Sequence, residues 1–92
     1  MIYKLTTRKI KEEDFDRNCK YPETDNDVLE LSLNELVAHI QEIPYVLTVV
    51  RNECIFTIAT DVSVEKEELL NKMEYFFSEM WCKFRYVSLD LQ

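Results

Sequence analysis

The chain contains no glycine, and this absence excludes several classes of function. Glycine-rich loops cradle phosphate groups in Walker and dinucleotide-binding proteins, because a residue without a Cβ lets the backbone approach the ligand closely. Nucleotide-dependent enzymes are therefore not expected. An enzyme of the acylphosphatase type is disfavoured for the same reason, since Thr6, Thr7 and Arg8 follow the first predicted strand without a glycine.

Metal-binding and redox motifs are also scarce. The single histidine, His39, and three widely spaced cysteines give no zinc-ligand spacing; the cysteines are Cys19, Cys54 and Cys82. An odd number of cysteines without a signal peptide favours reduced thiols in a cytoplasmic protein, and we expect Cys54 and Cys82 to be small core residues. No apolar run approaches the roughly 18 residues of a membrane span. We expect a cytoplasmic, non-catalytic protein with no cofactor, no metal and no membrane partner.

Acidic residues, by contrast, are abundant. The net charge of −7 argues against direct binding to nucleic acid or to an anionic membrane and favours a basic protein partner. Residues 12–35 hold nine acids and two bases, so this quarter of the chain carries the whole net charge. The 11 aromatic residues are generous for one small core and indicate a homodimer, because interfaces are enriched in aromatic side chains.

The hydrophobic pattern predicts one α+β domain over residues 1–92. Ser32 and Glu35 form a capping-box pattern that predicts a helix beginning at residue 33. Before it, residues 18–27 are predicted to form a loop, and residues 9–17 could form a helical turn or two. An Asn-containing turn over 51–53 predicts a hairpin, and Asp61 and Ser63 are candidate caps for a second helix, which is predicted to be the longest. The predicted strands are 2–6, 45–50, 54–60 and 83–91, and the predicted helices are 33–43 and 64–81.

This order of elements predicts the ferredoxin-like plan. Four strands form an antiparallel sheet, both helices lie on one face, and a long acidic first connection spans about residues 7–32.

The acidic segment has a spacing that suggests a decoy for DNA. Alternate residues of an extended chain lie about 6.6 Å apart, and helical neighbours at i, i+4 lie about 5 to 6 Å apart. Both distances are similar to the spacing of phosphates along a DNA strand. The triplet Glu23, Asp25 and Asp27 fits the extended case, and Glu12 with Asp16 fits the helical case.

The segment TTRKIKEEDFDRNCKYPETDND, followed by the two strand and helix units, resembles the anti-restriction nuclease inhibitors of T-even phages. The resemblance covers most of the chain. It implies a dimeric DNA mimic directed at the McrBC restriction nuclease, in the host cytoplasm, whose surface carboxylates replace DNA phosphates. The positions implied are Glu12, Glu13, Asp14, Asp16, Glu23, Asp25, Asp27 and Glu30.

Two alternatives stay open on the sequence alone. An immunity protein or antitoxin that neutralises a basic nuclease toxin needs the same acidic surface. A non-catalytic oligomerising module would use the aromatic residues and leave the acidic segment as a solubilising loop.

Overall fold

The computed structural model describes residues 1–14 and 25–92. Within these ranges, four strands and two α-helices follow one another in the predicted order of strand, helix, strand, strand, helix, strand. Predictions that involve residues 15–24 lie outside the described residues. The elements are β1 (Ile2–Lys9), a short 3₁₀ helix (Glu12–Asp14), α1 (Asn26–Gln41), β2 (Val46–Asn52), β3 (Ile55–Thr60), α2 (Lys66–Glu79) and β4 (Phe84–Leu91).

The four strands form one open antiparallel sheet in the order β2-β3-β1-β4. The central strand β1 places Leu5 opposite Phe56 of β3 on one side and opposite Leu89 of β4 on the other. All three side chains are fully buried, whereas Ile2 and Val50 lie on the opposite face of the sheet and are exposed. Both helices therefore cover the same face. The predicted α+β fold is confirmed.

The helices meet the sheet through apolar residues at helical spacing. Leu29, Leu33, Leu36 and Ile40 recur every three or four residues along α1, and all four are buried. Such a stripe faces the core over the whole length of the helix. Helix α2 contributes Leu69 and Met73, and the buried apolar residues of strands and helices form one cluster.

Helix α1 begins seven residues earlier than predicted. Asp25 is its N-cap, and the Asp25 carboxylate accepts hydrogen bonds from the backbone N–H groups of Asp27 (2.8 Å) and Val28 (3.4 Å). Ser32 is buried inside the helix, where its hydroxyl donates to the Val28 carbonyl oxygen at 2.9 Å. The predicted capping box at Ser32 is therefore wrong, and so is the predicted loop conformation of residues 26 and 27.

The hairpin turn is also displaced from its predicted position. Asn52 pairs with Ile55, so the turn consists of Glu53 and Cys54 rather than residues 51–53. Glu53 has a φ of 56°, in the left-handed region that glycine usually occupies. Because the chain has no glycine, an ordinary residue takes this conformation. Cys54 is half-buried at the turn and packs against the core.

The second helix differs from prediction at its ends. Helix α2 has 14 residues and α1 has 16, so α2 is not the longest helix. Its N-cap is Glu65 and not Asp61 or Ser63. Cys82, predicted in the core, is half-buried just before β4.

Candidate partner-binding surface

Asp14, one of the eight predicted contact residues, forms hydrogen bonds with other residues of its own chain. Its carboxylate accepts two hydrogen bonds from the Arg8 guanidinium, at 2.7 and 2.8 Å, and one from the backbone N–H of Lys11 at 2.7 Å. Only 11% of the Asp14 side chain is exposed. These bonds hold the pKa of the Asp14 carboxyl well below its usual range. Asp14 therefore fixes the start of the acidic connection to β1.

Arg85 strengthens this attachment from the neighbouring strand. It lies opposite Arg8 in the register of β1 and β4, and its Nη1 is 3.8 Å from an Asp14 carboxylate oxygen. Its Nη2 donates to the Asp14 carbonyl oxygen at 3.2 Å. The guanidinium also stacks on Trp81, with its central carbon 3.5 Å from the ring centroid, a favourable cation–π contact. Two arginines and one aspartate thus form a compact cluster at this end of the sheet.

Two further predicted contact residues have internal roles. Asp25 caps α1, as described above. Glu30 forms an ion pair with Arg51 of β2, and Arg51 also donates to the Asn34 side chain at 3.2 Å. The Glu30 side chain remains 55% exposed, so this pair lies at the surface.

The remaining predicted contact residues fall into two groups. Glu12, Glu13 and Asp27 are exposed and form no ion pair with another residue of the ranges 1–14 and 25–92. Asp16 and Glu23 lie outside the described residues. The contact role of all eight residues in partner binding stays a prediction.

The fold segregates charge in a way that the linear sequence does not show. Helix α1 with its caps, residues 25–42, carries five carboxylates and no lysine or arginine, and residues 65–79 of α2 carry five carboxylates and two lysines. These two segments, called here the acidic helix layer, have a net charge of −8. The strands carry five basic residues and one acid, a net charge of +4. Every carboxylate of the helix layer is exposed.

Most of these helix carboxylates have no cationic partner among the residues that the structure describes. The helix carboxylates other than Asp25 and Glu30 form no ion pair with any residue of the ranges 1–14 and 25–92. The helix carboxylates without such an ion pair are Asp27, Glu35, Glu42, Glu65, Glu67, Glu68, Glu74 and Glu79. The acid-rich stretch of sequence, residues 12–35, does not include α2. The acids of α2 do not stand out in the sequence, because bases elsewhere in residues 1–11 and 36–92 balance them.

Metal binding gains no support from the described residues. They contain no group of three histidine, cysteine, aspartate or glutamate side chains placed to hold a metal ion. His39 is half-buried; its Nε2 is 2.9 Å from the Lys72 carbonyl oxygen, and its ring stacks on Phe76 with the ring centroids 5.1 Å apart.

Neither of the two described α-helices combines the length and the apolar character needed to cross a membrane. Comparison with protein-family models, with curated proteins and with solved structures finds no match to the chain. The class supported by the structure itself is an α+β protein with an acidic helical surface.

Proposed function

We propose that the chain is a non-catalytic DNA mimic that occupies the DNA-binding site of a basic enzyme, and that this enzyme is a restriction nuclease of the McrBC type. The observation that supports the proposal is the acidic helix layer, which has ten exposed carboxylates and only two lysines on one side of the molecule. The type of target comes from the resemblance of the chain to phage anti-restriction inhibitors. The site of action is the cytoplasm of the cell that contains the nuclease.

The charge density of the helix layer supports this proposal. Helix α1 has 16 residues and is about 24 Å long at 1.5 Å per residue. Duplex DNA of that length carries about 14 phosphate charges, and one side of the duplex presents about half of them. The net charge of −8 on the helix layer is of the same size. A cleft that binds one side of a duplex therefore encounters a comparable number of negative charges.

The layer is also placed for fast, salt-sensitive association. Its carboxylates are exposed, so their attraction to a basic cleft is screened when the Debye length falls from about 10 Å at 0.1 M salt to about 3 Å at 1 M. Complementary charge of this kind steers encounter and raises the association rate. Inhibition by this surface must weaken as salt rises.

A second copy of the chain is proposed to pack on the open face of the sheet. This face exposes Ile2 by 46% and Val50 by 62% of their surfaces. Its Lys4 lies opposite Asp90 in the β1–β4 register, so the face is close to neutral locally. Two molecules joined there keep their acidic helix layers apart on the outside of the dimer, where each is available to a partner.

The dimer is tested by sedimentation of the wild type and of Val50→Lys. The wild type is expected to sediment as a dimer and the variant as a monomer, because a buried lysine without a partner is costly. A monomeric wild type contradicts the dimer and leaves the acidic helix layer unaffected.

The functional proposal is tested by titrating the purified protein into a DNA-cleavage assay. An McrBC-type nuclease is the target, an unrelated nuclease is the control, and each titration is repeated at two salt concentrations. Selective inhibition that weakens at the higher salt and is relieved by added competitor DNA is the expected result. Absence of inhibition at excess protein overturns the proposal, and selective inhibition of a basic nuclease toxin instead supports the immunity alternative.

A further inference from the structure

A pocket lies between α2 and the edge strand β4. Its volume is about 360 Å³, within the range of sites that hold small ligands or single side chains. One stripe of α2 and one residue of β4 line it: Glu67, Leu70, Asn71, Glu74, Phe77 and Tyr86. The pocket therefore combines an apolar wall with two carboxylates.

Packed aromatic rings form the wall. The ring centroids of Phe77 and Tyr86 are 5.6 Å apart, and Phe77 contacts the buried ring of Phe84 edge-on at 6.3 Å. These contacts fix Phe77 and Tyr86 without a ligand, while both side chains stay half-buried. The aromatic surface is thus preformed.

The two carboxylates lie on the rim of the same stripe. Glu67 and Glu74 are two helical turns apart, about 10.5 Å along the axis. Both are exposed and form no ion pair with a residue of the described ranges. Lys72 lies on the opposite side of α2, where its carbonyl oxygen meets His39. The two carboxylates therefore give the lining of the pocket its only formal charges, both negative.

We propose that this pocket binds an arginine side chain of the partner protein, a proposal that rests on the proposed function. A guanidinium is planar and weakly hydrated, so it stacks on aromatic rings and still donates paired hydrogen bonds to a carboxylate. The aliphatic part of the side chain packs against Leu70, the guanidinium stacks on Phe77 and Tyr86, and Glu74 or Glu67 accepts its hydrogen bonds. Phosphate and carboxylate ligands are repelled by the same rim.

A peptide titration followed by NMR tests the pocket in the intact protein. The probe is a blocked tripeptide, alanine-arginine-alanine, and the matched probes replace arginine with citrulline, which has the same shape without the charge, or with lysine. Saturable shifts at the ring resonances of Phe77 and Tyr86 are expected with arginine, weaker shifts with lysine and none with citrulline. Equal binding of arginine and citrulline overturns the proposal.

Paired substitutions separate the pocket from the general acidity of the helices. The double variant Glu67→Gln with Glu74→Gln should weaken arginine-peptide binding by about tenfold or more, since hydrogen bonds to charged groups are the strong ones. The matched control is Glu35→Gln with Glu42→Gln, which removes the same charge from a pair of the same helical spacing on α1. Equal loss of affinity in both double variants overturns the assignment to this pocket.

Folding and function are checked separately. Circular dichroism establishes that each variant is folded, and Tyr86→Leu, which keeps apolar volume but removes the ring, should also weaken binding of the peptide. If the wild type inhibits the nuclease but the arginine peptide does not bind, the pocket proposal fails and the function stands. If the peptide binds but no DNA-binding enzyme is inhibited, the proposed function fails and the pocket stands.

Discussion

The start of α1 gives a prediction with opposite outcomes at two positions. In the structure the Asp25 carboxylate caps the helix, with one good hydrogen bond at 2.8 Å and one long one at 3.4 Å. Removing a cap of this kind costs about 1 kcal/mol. For a domain of this size, 1 kcal/mol lowers the melting temperature by about 4 to 8 °C. Asp25→Ala should therefore melt about 4 to 8 °C below the wild type.

Ser32→Ala should behave differently. Ser32 lies inside α1, and its hydroxyl bonds back to the Val28 carbonyl oxygen, an interaction that adds little to helix stability. Alanine has the highest helix propensity, so the change in free energy of unfolding should stay within about 0.5 kcal/mol. Asp25→Asn keeps a capping oxygen and is the control for loss of charge. The assay is thermal unfolding followed by circular dichroism. A destabilised Ser32→Ala beside an unaffected Asp25→Ala refutes this start of the helix.

Three further predictions concern stability. Asp14→Asn should destabilise the fold at neutral pH. Because Arg8 lowers the pKa of Asp14 in the folded state, the stability that the Asp14 carboxylate contributes is complete above its unfolded pKa of about 3.9 and is lost as the pH falls towards the folded pKa. The unfolding curves of variant and wild type should therefore converge in acid. Leu36→Ala removes a fully buried side chain and should cost about 2 to 5 kcal/mol by chemical denaturation; a loss below about 1 kcal/mol contradicts its place in the core. Glu30→Gln should change stability by no more than about 1 kcal/mol, because the pair with Arg51 lies at the surface; a larger loss in the same assay contradicts that placement.

The sheet was predictable because its pattern is local. Strands that bury one face alternate apolar and polar residues, and β1 does so at Tyr3 and Leu5. The start of α1 was not predictable from its caps, because Ser32 and Glu35 reproduce a capping box inside a helix. The signal that was missed is Leu29, which continues the apolar stripe four residues before Leu33.

Asp14 pairs mainly with its sequence neighbours Arg8 and Lys11, but its contact with Arg85 is one that local patterns do not show. Arg85 lies 71 residues from Asp14 and reaches it only because β4 pairs with β1. The charge pattern is hidden for the same reason. Residues 1–11 and 36–92 together carry nine bases and nine acids, yet the fold brings the acids of α2 beside those of α1 and places five bases on the strands. A net charge counted along the sequence therefore combines helix and strand residues, which the fold places in separate layers.

Two charge reversals, compared in the nuclease-inhibition assay, decide whether the acidic helix layer is the contact surface. Glu35→Lys with Glu42→Lys changes the layer, and Glu53→Lys with Asp61→Lys makes the same change in net charge at exposed positions outside it. The first variant should lose inhibition by at least about tenfold, because like charges across an interface cost several kcal/mol. The second should inhibit almost as well as the wild type. Equal inhibition by the two folded variants contradicts the claim.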